Sequence, residues 1–334
     1  MNRYSKDTAI SYMNELGRAS TPFVFMVDFE MRKIIVVPAH ELTERLQYQF
    51  PNHTHESPYV AAAEPPRWTR HPMAYEDYLQ AYDHVYKEIN LGNSFLLNLA
   101  FPTDLTYEGQ LIDVYRGATA KYKVYLEDEC VVYSPETFVR IVDGHIYAYP
   151  MKGTIDAALP DALETILADE KELAEHYTIV DLIRNDLSIV AKEVTVTKFR
   201  YPDYISTSDK DLIQISSEIR GKLPTTYQEQ IGDLLFAMLP AGSISGAPKR
   251  KTVEVIRSAE GIDRGYYTGI CGYFDGRELD SGVMIRYVEQ TADGYRYRSG
   301  CGITSQSSPA VEYQEMIDKV YIPHVAAAVQ AEVL

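Results

Sequence analysis

Two stretches of the chain carry glutamates three residues apart: Glu172 and Glu175 in KELAEHYTIVDLIRND, and Glu312 and Glu315 in VEYQEMIDKV. At helical spacing each pair projects from one face. A single pair of this kind is ordinarily a solvated helix face, because Glu is seldom buried unless paired. The apolar run IVDLI weakens that reading for the first pair, since it leaves its helix little surface to show to water. If the two faces meet, four carboxylates converge, and a divalent cation is their natural neutraliser. Oxygen donors without a His or Cys cluster favour Mg2+ over zinc.

Lys152, in PMKGT at 150–154, is the candidate nucleophile. A lysine at a strand end is usually a solvated charge; walled in by apolar groups it can instead give up its proton and attack an electrophile. In GSISGAPK, Gly242 and Gly246 with Ser243 and Ser245 precede a helix, so free backbone N–H groups there could meet an anion. The phosphate-binding pattern GxxxxGK[ST] is not met. SGCGI at 299–303 is a second place where backbone can approach a ligand, although for an isolated glycine pair a tight turn is the preferred reading. Neither Gly300-Cys301-Gly302 nor Gly269-Ile270-Cys271-Gly272 forms the GxCxG elbow of a glutaminase, so the chain is not expected to release ammonia from glutamine.

The elements that must position these residues follow from periodicity. Residues 21–37 read as two short strands with a turn near Glu30. Leu79, Tyr82, Tyr86 and Ile89 are spaced as one face of a helix that Asn90 to Gly92 stop, and FLLNLAF follows as a buried strand. Residues 122–150 read as strand, turn, strand, with Asp143-Gly144 as the turn. Helices are expected over about 160–191 and 227–239, then a glycine-rich loop opening onto a helix. Strands near 267–275, 281–289 and 294–304 and a closing helix over about 309–331 complete the chain. The Pro- and His-containing stretch at 51–68 reads as a surface loop rather than a domain joint.

With 334 residues, 46% of them apolar, the chain can bury a large core as one compact α/β unit. No apolar run reaches the roughly 18 residues of a membrane span, and the N-terminus lacks a secretory signal, so a cytoplasmic location is expected. Its 48 acidic against 32 basic residues give a net charge of -16, which repels nucleic acid and anionic membranes. An anionic small substrate therefore needs local help from Lys, Arg or a bound cation. Cys130, Cys271 and Cys301, isolated and odd in number, read as buried thiols.

In order, SPETF at 134–138, PMKGT, ELAEHYTIVDLIRND, GSISGAPK, RGYYTGICGYF, SGCGI and EYQEMIDK resemble the chorismate-utilising enzymes, over about residues 70–325. The resemblance implies one chorismate-binding domain spanning 1–334, with a shortened N-terminal part at 1–68 and a catalytic core at 70–325. Its fold would be two β-sheets packed face to face with helices outside. Glu175 and Glu315 would hold Mg2+, supported by Glu172 and Glu312, and the metal would grip the ring carboxylate of chorismate. Tyr267, Arg286, Gly302 and Lys319 would take the enolpyruvyl carboxylate, and Ser243 with the GAPK turn would line the same pocket.

Within the family the sequence resembles the aminodeoxychorismate branch, which carries PIKGT where anthranilate synthases usually have Ala in place of Lys152. Water-using members place a lysine base where this chain has Leu96, which implies ammonia as the nucleophile. The implied chemistry is a double displacement: neutral Lys152 attacks ring C2, the C4 hydroxyl leaves as Glu136 protonates it, and ammonia expels the lysine. A separate glutaminase subunit is implied as partner. The chain departs from the family pattern at Gln214, where relatives commonly have His, and at Ala148-Tyr149, where Thr-Arg is usual. The alternatives are anthranilate synthase component I, a water-using isochorismate or salicylate synthase, and a non-catalytic chorismate- or metal-binding protein.

Overall fold

The computed structural model describes residues 1–59, 65–206, 211–246 and 248–323. Two antiparallel sheets dominate it. The first runs Met151–Asp156, Asp211–Lys222, His145–Ala148, Thr137–Val142, Leu279–Val283, Ile270–Phe274, Phe23–Val27, Ile35–Pro38, with Lys192–Ser206 also paired to Asp211–Lys222. The second runs Thr54–His55, Leu46–Gln49, Tyr122–Leu126, Cys130–Ser134, Tyr287–Thr291, Gly294–Ile303, Leu97–Tyr107, Trp68–His71. This is the expected mixed α/β architecture of two sheets flanked by helices.

Strand alternation explains why the sheets stack. In the fully buried Phe23–Val27, Val24 and Met26 join Leu46, Tyr48, Val124, Val132 and Tyr287 of the second sheet. Phe23, Phe25 and Val27 face the other way, onto Met13 and Leu16 of the helix Lys6–Arg18 and onto Leu235. On the far side of the second sheet, Leu97, Leu99, Phe101, Cys301 and Ile303 are covered by Tyr78, Tyr82, Val85 and Ile89, by Val255 and Ile256, and by Met316. Those residues come from the helices Tyr75–Asn90, Lys249–Glu260 and Pro309–Asp318. All three cysteines are buried and free.

Several elements differ from expectation. The helix expected over 160–191 is two, Ala162–Ala168 and Glu170–Val190. Asp169 breaks it: extended in backbone, it turns its carboxylate to accept from the Glu172 amide at 2.9 Å and so caps the second helix. Residues 122–148 form four strands rather than two; the expected turn is present at Asp143-Gly144, both with positive φ (47° and 73°). The buried face of Tyr75–Asn90 is Tyr78, Tyr82, Val85 and Ile89, and Tyr86 lies at the exposed side. The second expected helix begins as a 3-10 turn, Tyr227–Gln230, and continues as Ile231–Ala237. The last helix stops at Asp318, where the Lys319 amide closes onto Glu315 and Ile317 carbonyls. Residues 324–331 of its expected span lie outside the described residues, as do 60–64 of the stretch at 51–68. No helix among the described residues is long and apolar enough to cross a membrane.

Candidate active site

Lys152 stands on the strand Met151–Asp156, whose pairing with Asp211–Lys222 slips between Met151 and Thr154. The irregularity centres on Gly153, which has φ +86°, a conformation that glycine adopts without strain. It turns Lys152 toward the helix Glu170–Val190, and Lys152 Nζ donates to Glu175 Oε2 at 3.0 Å. Glu172, one turn earlier, lies over Gly153, where an added Cβ would come within 3.1 Å of its Oε2.

A cleft of about 350 Å3, open to solvent, lies between the two sheets and gathers Glu136, Lys152, Gln214, Ser243, Tyr267, Arg286, Gly302, Glu315 and Lys319. Glu136 accepts a 2.6 Å hydrogen bond from Ser243 Oγ, on the single helical turn Gly242–Ser245. Burial raises its pKa above the ordinary carboxylate value, and the Ser243 hydrogen bond opposes that shift. Burial likewise pushes the Tyr267 hydroxyl up, leaving a neutral donor. Arg286 sits at a left-handed turn (φ 53°). Lys319 bonds the Gly300 carbonyl at 2.9 Å and pairs with Glu315 at 2.6 Å. Gln214 lies opposite Thr154 on the paired strand. Lys152, Arg286 and Lys319 bring cationic groups to the cleft, two of them paired with glutamates.

Of the four glutamates, Glu315 lines the cleft, Glu175 reaches it through Lys152, Glu172 lies over Gly153, and Glu312 is bonded to Ser307. Among the described residues, no three His, Cys, Asp or Glu side chains are close enough together to hold an ion as they stand. Instead, Glu175 and Glu315 are each paired with a lysine. Burial, then the charge on Glu175, raises the pKa of Glu172. Burial also raises that of Glu312, where Ser307 opposes and the Glu315 charge adds to the rise. Within each pair the carboxylates repel one another, and all four are oxygen donors of the kind a hard divalent cation takes.

Leu96 faces the cleft, with its Cδ1 3.3 Å from where a Gly302 Cβ would stand. The cleft also includes Asn98, which the sequence reading did not single out. Strand alternation was the signal for Asn98, two residues beyond Leu96. Ala247 of the GAPK turn is outside the described residues. His176 is fully buried against Ser217 Oγ at 2.7 Å.

The sequence pattern of chorismate binding enzymes matches residues 18–323. An "Uncharacterized PabA-like protein" of Haemophilus influenzae is 46% identical, over 94% of this chain and 96% of that protein. The anthranilate synthase component 1 of Methanothermobacter marburgensis is 33% identical over 70% of this chain and 52% of its own length. The 2-amino-4-deoxychorismate synthase of Streptomyces globisporus is 30% identical over 72% and 50%. Among solved structures, the menaquinone-specific isochorismate synthase MenF of Escherichia coli superposes with a TM-score of 0.74 at 18% identity, covering 96% of this chain and 82% of that one.

Proposed function

The chain belongs to the family of chorismate binding enzymes, and from that premise we propose that it aminates chorismate with ammonia to 4-amino-4-deoxychorismate, using Lys152 as a covalent nucleophile. One observation carries the proposal. Lys152 Nζ is turned into a cleft that also holds an acid kept protonatable by burial, Glu136, and the cations Arg286 and Lys319.

In this reaction Arg286, Lys319 and Tyr267 bind the enolpyruvyl carboxylate. Lys152 Nζ, held at the cleft by its contact with Glu175 Oε2 at 3.0 Å, gives up its proton before it acts. The freed amine attacks ring C2, the ring double bond shifts, and the C4–O bond breaks as Glu136 delivers its proton to the departing hydroxyl. Ammonia then bonds to C4, the C2–Nζ bond breaks, and the surplus proton returns to Glu136. Ser243 holds the Glu136 carboxyl in place throughout. Mg2+, held by Glu175 and Glu315 and supported by Glu172 and Glu312, would neutralise and orient the ring carboxylate.

Ammonia is favoured over water because the side chain facing the cleft at position 96 is leucine, which activates nothing. Since no glutaminase elbow is present, ammonia would come from a separate glutaminase subunit in the cytoplasm. Incubation with chorismate, an ammonium salt and Mg2+ should yield 4-amino-4-deoxychorismate, and EDTA should abolish turnover. Accumulation of anthranilate or isochorismate by the wild type would refute the assignment.

A further inference from the structure

Asn98 lies on the strand Leu97–Tyr107, where alternation sends Leu97 and Leu99 into the helix-covered core and turns Asn98 to the cleft. Its cross-strand neighbour is Gly302, and the next pair on the same face is Ala100 with Gly300. Both glycines cut away the cleft wall beside it. A Cβ at Gly300 would come within 2.7 Å of Asn98 Oδ1, and one at Gly302 would stand 3.8 Å from Lys152 Nζ. Asn98 and the nucleophile thus border one recess.

Within that recess Asn98 Oδ1 is buried and has no hydrogen-bond partner among the described residues. Buried polar atoms are nearly always paired, so this acceptor is arranged for a donor that arrives with the ligands. Its backbone is fixed. The Asn98 carbonyl accepts from Arg264 Nη2 at 2.6 Å, and the Ala100 amide donates to Glu260 Oε1 at 2.9 Å. Glu260 and Arg264 form an ion pair only 1% and 2% exposed, which caps this edge of the sheet in place of another strand.

We propose that the Asn98 carboxamide is the receptor for ammonia, accepting an N–H hydrogen bond and aiming the nitrogen lone pair at the ring. This rests on the amination reading and extends it to a residue that sets the choice of nucleophile. A carboxamide neither gains nor loses a proton near neutral pH. A carboxylate in its place would hold ammonia as ammonium, with no lone pair to offer, and a basic group would activate water. Apolar Leu96 beside it leaves no group there that would activate water.

The test is steady-state kinetics of Asn98→Ala and Asn98→Ser with ammonium salt as the varied substrate. The KM for ammonia should rise at least tenfold in Asn98→Ala and less in Asn98→Ser, whose hydroxyl still accepts. The chorismate KM, the melting temperature and the yield of Lys152 adduct formed without ammonia should stay within twofold of wild type. An ammonia KM unchanged in Asn98→Ala, or a rise in the chorismate KM in its place, overturns this inference while leaving amination standing. A wild type that makes no aminated product overturns both.

Discussion

The ion pair between Glu260 and Arg264 offers a prediction whose size follows from its surroundings. Glu260 Oε2 accepts from Arg264 Nε at 2.8 Å, Oε1 accepts from the Ala100 amide, and the guanidinium stacks over Phe29 while donating to Asn98 O and Thr268 Oγ1. Glu260→Ala leaves a buried guanidinium without its counter-charge, which costs about 3–5 kcal/mol. It also orphans the Ala100 N–H, for a further ~1–3 kcal/mol. A loss of roughly 4 kcal/mol or more is a large part of the ~5–15 kcal/mol that holds a typical domain together. Urea unfolding followed by Trp68 fluorescence and far-UV circular dichroism measures it. Replacing both charges, Glu260→Met with Arg264→Met, should recover more than half of that loss, because neither charge is then left alone. The reasoning fails if Glu260→Ala costs under ~1 kcal/mol, or if the double variant is no more stable than either single one.

Other expectations follow from the cleft and its supports. Ser243→Ala removes a hydrogen bond that favours ionised Glu136, so the pKa of this acid rises further. The alkaline limb of the pH–rate profile should therefore move to higher pH; a downward move contradicts the assignment of Glu136 as acid. Gly302→Ala places a methyl 3.3 Å from Leu96 Cδ1 and 3.8 Å from Lys152 Nζ, and the chorismate KM should rise ~10-fold or more with the melting temperature little changed. Burial pulls the pKa of His176 down from its ordinary 6.5 to about 4. Between those values the unfolded chain binds a proton that the folded chain refuses, so stability present above pH 6.5 is lost as pH falls toward 4. Urea midpoints at pH 7.5 and pH 5 should differ in the wild type and converge in His176→Gln.

Much of the candidate site was legible in the chain because its residues sit in short runs whose spacing survives folding. Lys152, Glu136, Ser243, Gln214, Tyr267, Arg286, Gly302, Glu315 and Lys319, read from separate segments, line one cleft. What periodicity did not show was decided by longer-range terms. Asp169 splits a helix because a cap hydrogen bond competes with the helical ladder. Residues 122–148 become four strands because each finds its own antiparallel partner, with polar turns at 127–129, 135–136 and 143–144 between them. Sheet order, with Phe23–Val27 inserted beside Ile270–Phe274, depends on pairings across some 245 residues that no local pattern encodes. Asn98 was missed because an asparagine in a strand carries no chemistry until its neighbours across the sheet prove to be glycines.

The central claim is that Lys152 becomes covalently bonded to the substrate ring. Wild-type enzyme mixed with chorismate and Mg2+ without ammonia, quenched with acid and measured by intact-protein mass spectrometry with peptide mapping, tests it directly. The account predicts a species heavier by one chorismate less one water, with the added mass on the peptide containing Lys152 and absent from Lys152→Ala. An unmodified protein in the wild-type sample, together with undiminished amination by Lys152→Ala, would contradict it.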